Sequence, residues 1–78
     1  MKARERLKEL GYNVRSESST FVLFEHIVDI TETRTLNIDK ANGEFCLMAT
    51  IGDEDYMPFY AKPDLAIAIV ELLNELGI

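Results

Sequence analysis

Length, composition and charge limit this chain to a small, folded, acidic protein. With 78 residues, of which 47% are hydrophobic and 28% charged, it has the size and composition of a single globular domain, residues 1–78, and not of a disordered chain. Its net charge of −6 argues against binding to nucleic acid, and the lack of an apolar leader or of an apolar run of about 18 residues predicts a cytoplasmic protein that does not enter a membrane.

The first predicted element is a short amphipathic helix that ends near Leu10. Ala3, Leu7 and Leu10 share one face, and Gly11 follows as a cap. Residues 1–15 hold five basic and two acidic side chains, whereas the remaining chain holds three basic and twelve acidic ones. The basic residues of the helix are interpreted as its solvated outer face, so the body of the protein carries the acidic charge.

The middle of the chain predicts an antiparallel sheet. Its strands are expected over residues 12–15, a segment beginning at Phe21, residues 33–39, residues 44–51 and residues 56–61. Asn42-Gly43 suits the loop of a hairpin between the third and fourth strands, because these residues tolerate the positive φ angles that such loops require. Residues 15–19 read as a turn, and Pro58 indicates that the last strand lies at an edge.

The closing segment, residues 63–78, predicts a helix that covers the sheet and that Gly77 ends in a left-handed cap. Its core-facing stripe repeats at i, i+4, i+7 and i+11, and comprises Leu65, Ile69, Leu72 and Leu76, with Ala66 and Leu73 beside it. Ile67 and Val70 lie off this stripe, so they are predicted to be covered either by the rest of the domain or by a second copy of the chain. The expected fold is therefore α+β: a two-layer domain in which an antiparallel β-meander of three to five strands is flanked by N-terminal and C-terminal helices.

Few side chains suggest chemistry. His26, the only histidine, is interpreted as a structural or partly exposed residue, and Cys46, the only cysteine, as a buried filler of an apolar strand. No sequence pattern for a nucleophile, a phosphate-binding loop or a metal site is present, so we expect no catalytic residue, no metal and no cofactor.

The acidic run Asp53, Glu54 and Asp55 is the one concentration of like charge. It is interpreted as a solvated turn, with weak contact to a hard cation or a basic partner as the alternative.

Several short motifs together resemble a family of small uncharacterised proteins encoded by phages and prophages of Gram-positive bacteria. The resemblance covers residues 3–78 and rests on Leu10-Gly11-Tyr12, Ile38-Asp39 and the closing segment 75–78. Ile78 stands where such proteins often carry an aromatic residue. The resemblance implies a phage or prophage origin and supplies no catalytic residue.

Two functions are consistent with these sequence features. The favoured one is a non-enzymatic protein-interaction module that forms a homo-oligomer and binds another protein through the closing helix or the edge strand, as the surplus apolar residues Ile67 and Val70 suggest. The alternative is a phage inhibitor whose acidic body imitates nucleic acid and occupies the basic groove of a host defence protein. An enzyme is not expected, because no paired acid and base are evident.

Overall fold

A computed structural model describes residues 2–52 and 54–78, except for the side chains of residues 54–56. Its elements, in chain order, are α1 Lys2–Glu9, β1 Asn13–Glu17, β2 Phe21–Ile27, β3 Glu32–Asp39, β4 Phe45–Ile51, β5 Glu54–Pro58 and α2 Pro63–Glu75. The predicted α+β class, with an antiparallel meander between two terminal helices, is confirmed.

The five strands form one sheet in the order β1-β2-β3-β4-β5. Register places Phe24 opposite Leu36 and Leu36 opposite Leu47. Because side chains alternate between the two faces of a sheet, these three share one face, and Asn37 and Cys46 lie on the other.

Both helices cover the same face of the sheet. Ala3 and Leu7 of α1 and the buried side chains of α2 form one cluster with strands β2 and β3; the strand members of this cluster are Val22, Phe24, Leu36 and Ile38. The helices also join each other, since Arg6 pairs with Glu71 at 2.9 Å. No other helix or strand of the described chain covers the opposite face of the sheet, which is therefore its open face.

Glycines end both helices, as predicted. Gly11 has φ +97° and Gly77 has φ +76°, values that side chains with a Cβ rarely adopt. The Ile78 amide donates to the Leu73 carbonyl at 3.1 Å across the second of these ends. Because of this break, α2 ends at Glu75, with Leu76 as its cap, just before Gly77.

The predicted hairpin between β3 and β4 is confirmed. The Gly43 amide donates to the Asp39 carbonyl at 2.8 Å, and Gly43 has φ +78°. Asn42 keeps a negative φ and instead accepts a hydrogen bond from the Glu44 amide through its side chain, at 2.9 Å. Only the glycine therefore supplies the left-handed conformation that the loop needs.

The bounds of the two edge strands differ from the prediction. β1 extends to Glu17, through part of the predicted turn, because Glu17 pairs with Val22 of β2. β5 spans Glu54–Pro58, not residues 56–61, because pairing resumes directly after the turn, with Glu54 opposite Ile51. Pro58 lies on an edge strand, as predicted. Neither α1 nor α2, the helices of the described residues, has the length and apolar character needed to cross a membrane.

Candidate functional site

The outer face of α2 carries an uncharged stripe that solvent reaches. Pro63, Ile67, Val70 and Asn74 follow one another at i, i+4, i+7 and i+11, and all four are exposed. We call these four residues the α2 stripe. Ile67 is 53% exposed and Val70 is 55% exposed, so the domain itself does not cover them. Both side chains are β-branched and stiff, which lowers the entropy lost when a partner immobilises them.

A shallow apolar groove of about 260 Å³ lies on this face, between Ala66, Ile67, Val70 and Glu71. Its one charged member, Glu71, is paired with Arg6 of α1 at 2.9 Å. The groove is therefore suited to apolar contact with another surface, with an ion pair at its margin.

The orientation of α2 corrects one sequence prediction. Leu65, Ile69 and Leu72 are buried as predicted, but Ala66 is exposed and Ala68 is buried in its place. The helix packs against α1 as well as the sheet, and Ala68, which lies between Leu65 and Leu72 on the helix surface, belongs to the resulting core cluster.

Asp53 lies outside the described residues, and so do the side chains of Glu54 and Asp55. The predicted acidic contact at this turn stays a prediction. Among the side chains that the structure describes, which exclude those of residues 53–56, no group of three His, Cys, Asp or Glu is placed to hold a metal ion.

Elsewhere, four carboxylates of the described side chains form ion pairs, namely Glu17, Glu25, Glu32 and Glu71. Glu17 accepts hydrogen bonds from Arg4 at 2.9 Å and from Lys40 at 2.7 Å, and these two cations lower the pKa of its carboxyl to about 2. Glu25 pairs with Arg15 at 2.9 Å. These ion pairs reduce the negative potential that the carboxylates would otherwise present.

His26 and Cys46 lie on opposite faces of the sheet. His26 shares the helix-covered face with Phe24 and is half-buried, as predicted, whereas Cys46 lies on the open face. Cys46 is exposed, so its predicted burial is wrong. The alternation of β4 was read correctly, but the face that carries Cys46 has no covering layer.

The imidazole of His26 packs tightly. Its ring centre is 4.9 Å from that of Tyr12, and a Cβ at Gly11 would lie 2.6 Å from its Nε2. Its Nδ1 is buried and has no hydrogen-bond partner among the described residues. Burial of a polar atom without a partner is unfavourable, so an acceptor or donor that reached this ring would be stabilised there.

Sequence reasoning missed a cavity of about 410 Å³ beside His26. It lies where the end of α1, the start of α2 and the segment after β5 meet the sheet, and Tyr12 and Arg34 line it. Burial raises the pKa of the Tyr12 hydroxyl, and the Arg34 guanidinium beside it partly offsets that rise. No local sequence pattern predicts this cavity, because separate segments of the chain contribute to its wall.

Comparison of the chain with protein-family models, with curated proteins and with solved structures finds no match. The resemblance to small phage and prophage proteins stays a prediction. Any function must therefore be argued from the surfaces described above.

Proposed function

We propose that this protein is a small, non-enzymatic interaction module that self-associates through the α2 stripe. The observation that carries the proposal is the exposure of Ile67 and Val70, at 53% and 55%, side by side on a rigid helix. Exposed apolar side chains that form a contiguous patch are typical of contact surfaces.

The position of the stripe favours a second copy as the occupant. Residues 63–74 are centred almost at the middle of α2, which spans Pro63–Glu75. Two antiparallel copies related by a two-fold axis would therefore place Ile67 of one copy against Val70 of the other and overlap along their whole length. A patch that meets itself in this way is what a closed dimer requires.

The size of the surface predicts a weak dimer. A helix of 13 residues is about 20 Å long, and one such face is smaller than the roughly 800 Å² per partner of a standard interface. We expect dissociation in the micromolar range or weaker.

Analytical ultracentrifugation over a wide concentration range, at low and high salt, tests the proposal. The wild-type protein should pass from monomer to dimer, with little effect of salt because the contact is apolar. Val70→Glu should fold normally, since Val70 is exposed, and should weaken the dimer at least tenfold, because association would bury an unpaired charge.

Ser19→Glu is the matched control. It adds the same charge at an exposed turn far along the chain from α2 and should leave the dimer unchanged. A wild-type protein that stays monomeric at every concentration, or a Val70→Glu variant that dimerises like the wild type, would refute self-association through this stripe.

The proposal that the protein lacks catalysis of its own is supported by the separation of its two reactive side chains. A thiolate needs a neighbouring base, and the sheet lies between Cys46 and His26. The alternative function, imitation of nucleic acid by acidic charge, has weaker support, because Glu17, Glu25 and Glu71 each pair with a cation.

A further inference from the structure

The 410 Å³ cavity combines apolar walls with cationic groups in an acidic protein. Its volume falls within the range of about 300–1,000 Å³ that is usual for small-molecule sites. Leu10, Phe59 and Leu65 provide apolar surface along its wall. A ligand that fits must therefore have an apolar body as well as a charged end.

Arg34 supplies the principal polar group. Its guanidinium carbon lies over the Phe59 ring, 4.9 Å from the ring centre, and this cation–π contact favours one position of the group. Its Nε donates to Glu32 at 2.7 Å, and no carboxylate among the described side chains accepts a hydrogen bond from its terminal nitrogens. Arg4 differs, because both of its terminal nitrogens donate to Glu17.

The wall itself carries two cations and one carboxylate, and Glu32, which is bound to Arg34, offsets one of the positive charges. Lys62 adds a second cation, and Asp64 is the one carboxylate of the described lining. Asp64 accepts a hydrogen bond from the Leu65 amide at 2.8 Å, so the first turn of α2 partly satisfies it. Lys62 is exposed and forms no ion pair with any of the described side chains.

We infer that this cavity is a binding site for a small organic carboxylate. The carboxylate accepts hydrogen bonds from the terminal nitrogens of Arg34 and lies near Lys62, and its apolar body packs against Phe59 and Leu65. A guanidinium fork matches the two oxygens of a carboxylate in a bidentate arrangement. A phosphate dianion fits less well, because it would bring a second negative charge toward Asp64 and Glu32.

The experiment is a titration of uniformly ¹⁵N-labelled protein with sodium phenylacetate, followed by amide chemical shifts. We expect the shifts to be concentrated at residues 10–12, 26, 34 and 59–65. Phenylacetamide, which has the same shape without the charge, should bind at least tenfold more weakly, because hydrogen bonds to a charged group contribute most of the affinity. Inorganic phosphate should also bind at least tenfold more weakly.

Arg34→Gln should weaken phenylacetate binding at least tenfold, whereas Arg15→Gln, which removes the same charge at the β1 edge, should not change it. Lys62→Gln should weaken binding severalfold; because Lys62 is exposed, this variant tests the site even if Arg34→Gln fails to fold.

Val70→Glu should bind phenylacetate like the wild type, so this inference and the self-association proposal can fail separately.

Three results would overturn the inference. The first is that phenylacetate causes no saturable change in the amide chemical shifts, or that the amides which shift lie on the open face of the sheet. Another is equal binding of phenylacetamide or of phosphate, which would indicate an apolar pocket or a general anion site. The third is wild-type affinity in folded Lys62→Gln and Arg34→Gln variants.

Discussion

The two faces of α2 carry the same kinds of side chain in opposite surroundings. Ile69 is 1% exposed and belongs to the core, whereas Ile67, two positions earlier, is 53% exposed. Both residues contribute to the apolar character that identifies the helix. The comparison shows that hydrophobicity predicts the helix, but that only the packing of the layers decides which apolar residues stabilise the monomer and which remain available to a partner.

The largest expected effect is the difference in folding stability between alanine variants of these two isoleucines. Ile69→Ala should lower the free energy of unfolding by about 3 kcal/mol, because it leaves a cavity in the core. Ile67→Ala should change it by no more than about 0.5 kcal/mol, since the side chain is exposed and alanine is the better helix former. Urea denaturation at a concentration where the protein is monomeric measures both.

The difference between these two losses should be largest in the monomer. At concentrations where the dimer forms, Ile67→Ala should also lower the apparent stability, because it weakens the contact that adds to folding. Equal losses for the two variants in the monomer would contradict the assignment of inner and outer faces.

A second comparison concerns glycines in similar conformations. Gly11 has φ +97° and a Cβ there would meet the His26 ring at 2.6 Å, whereas Gly52 has φ +65° with nothing within 4 Å of that position. Gly11→Ala should cost about 2 kcal/mol, from backbone strain plus displacement of the imidazole.

Gly52→Ala should cost only about 1 kcal/mol, since backbone strain acts alone. Thermal and urea unfolding of both variants would measure the difference. If Gly52→Ala proves as destabilising as Gly11→Ala, then contact with His26 is not the source of the additional cost.

The smallest expected effect is the loss of stability when one of two surface carboxylates, Glu17 or Glu25, is neutralised. Two cations hold the pKa of Glu17 at about 2, below its ordinary value of 4.5, so the ionised form stabilises the folded protein. That contribution is present above pH 4.5 and is lost as the pH falls toward 2. Because the Glu17 side chain is 32% exposed, solvent screening limits the contribution to about 1 kcal/mol.

Glu17→Gln should therefore be less stable than the wild type by about 1 kcal/mol at pH 6, and this difference should disappear near pH 2. Glu25→Gln, which loses a single partner, should cost only about 0.3 kcal/mol. Unfolding curves recorded across this pH range test both, and a pH-independent penalty for Glu17→Gln would contradict the pKa assignment.

Several elements were predictable from local pattern. The end of α1 follows from Gly11, the β3–β4 hairpin from Asn42-Gly43, and the inner stripe of α2 from its leucine and isoleucine spacing. Each of these signals acts over a few residues and reflects the conformation of the backbone or the period of one element. The ends of the edge strands depend instead on pairing between strands; β1, for example, reaches Glu17 because Glu17 pairs with Val22 of β2.

Burial and the cavity required the assembled fold. Cys46 lies in a strand whose alternation was evident, yet its exposure depends on the absence of a layer over the open face, and alternation cannot reveal which face a helix covers. Arg34 lies in β3, whereas Phe59 and Lys62 lie near the start of α2, so their proximity depends on how the chain folds back.

Local sequence thus accounts for the order and type of the elements, because backbone propensity, capping and hydrophobic period act between neighbours along the chain. The tertiary structure alone decides that both helices cover one face of the sheet, that Ile67 and Val70 remain exposed, and that Arg34 meets Phe59. These outcomes depend on contacts between residues distant in sequence, and such contacts are selected by the packing of whole layers.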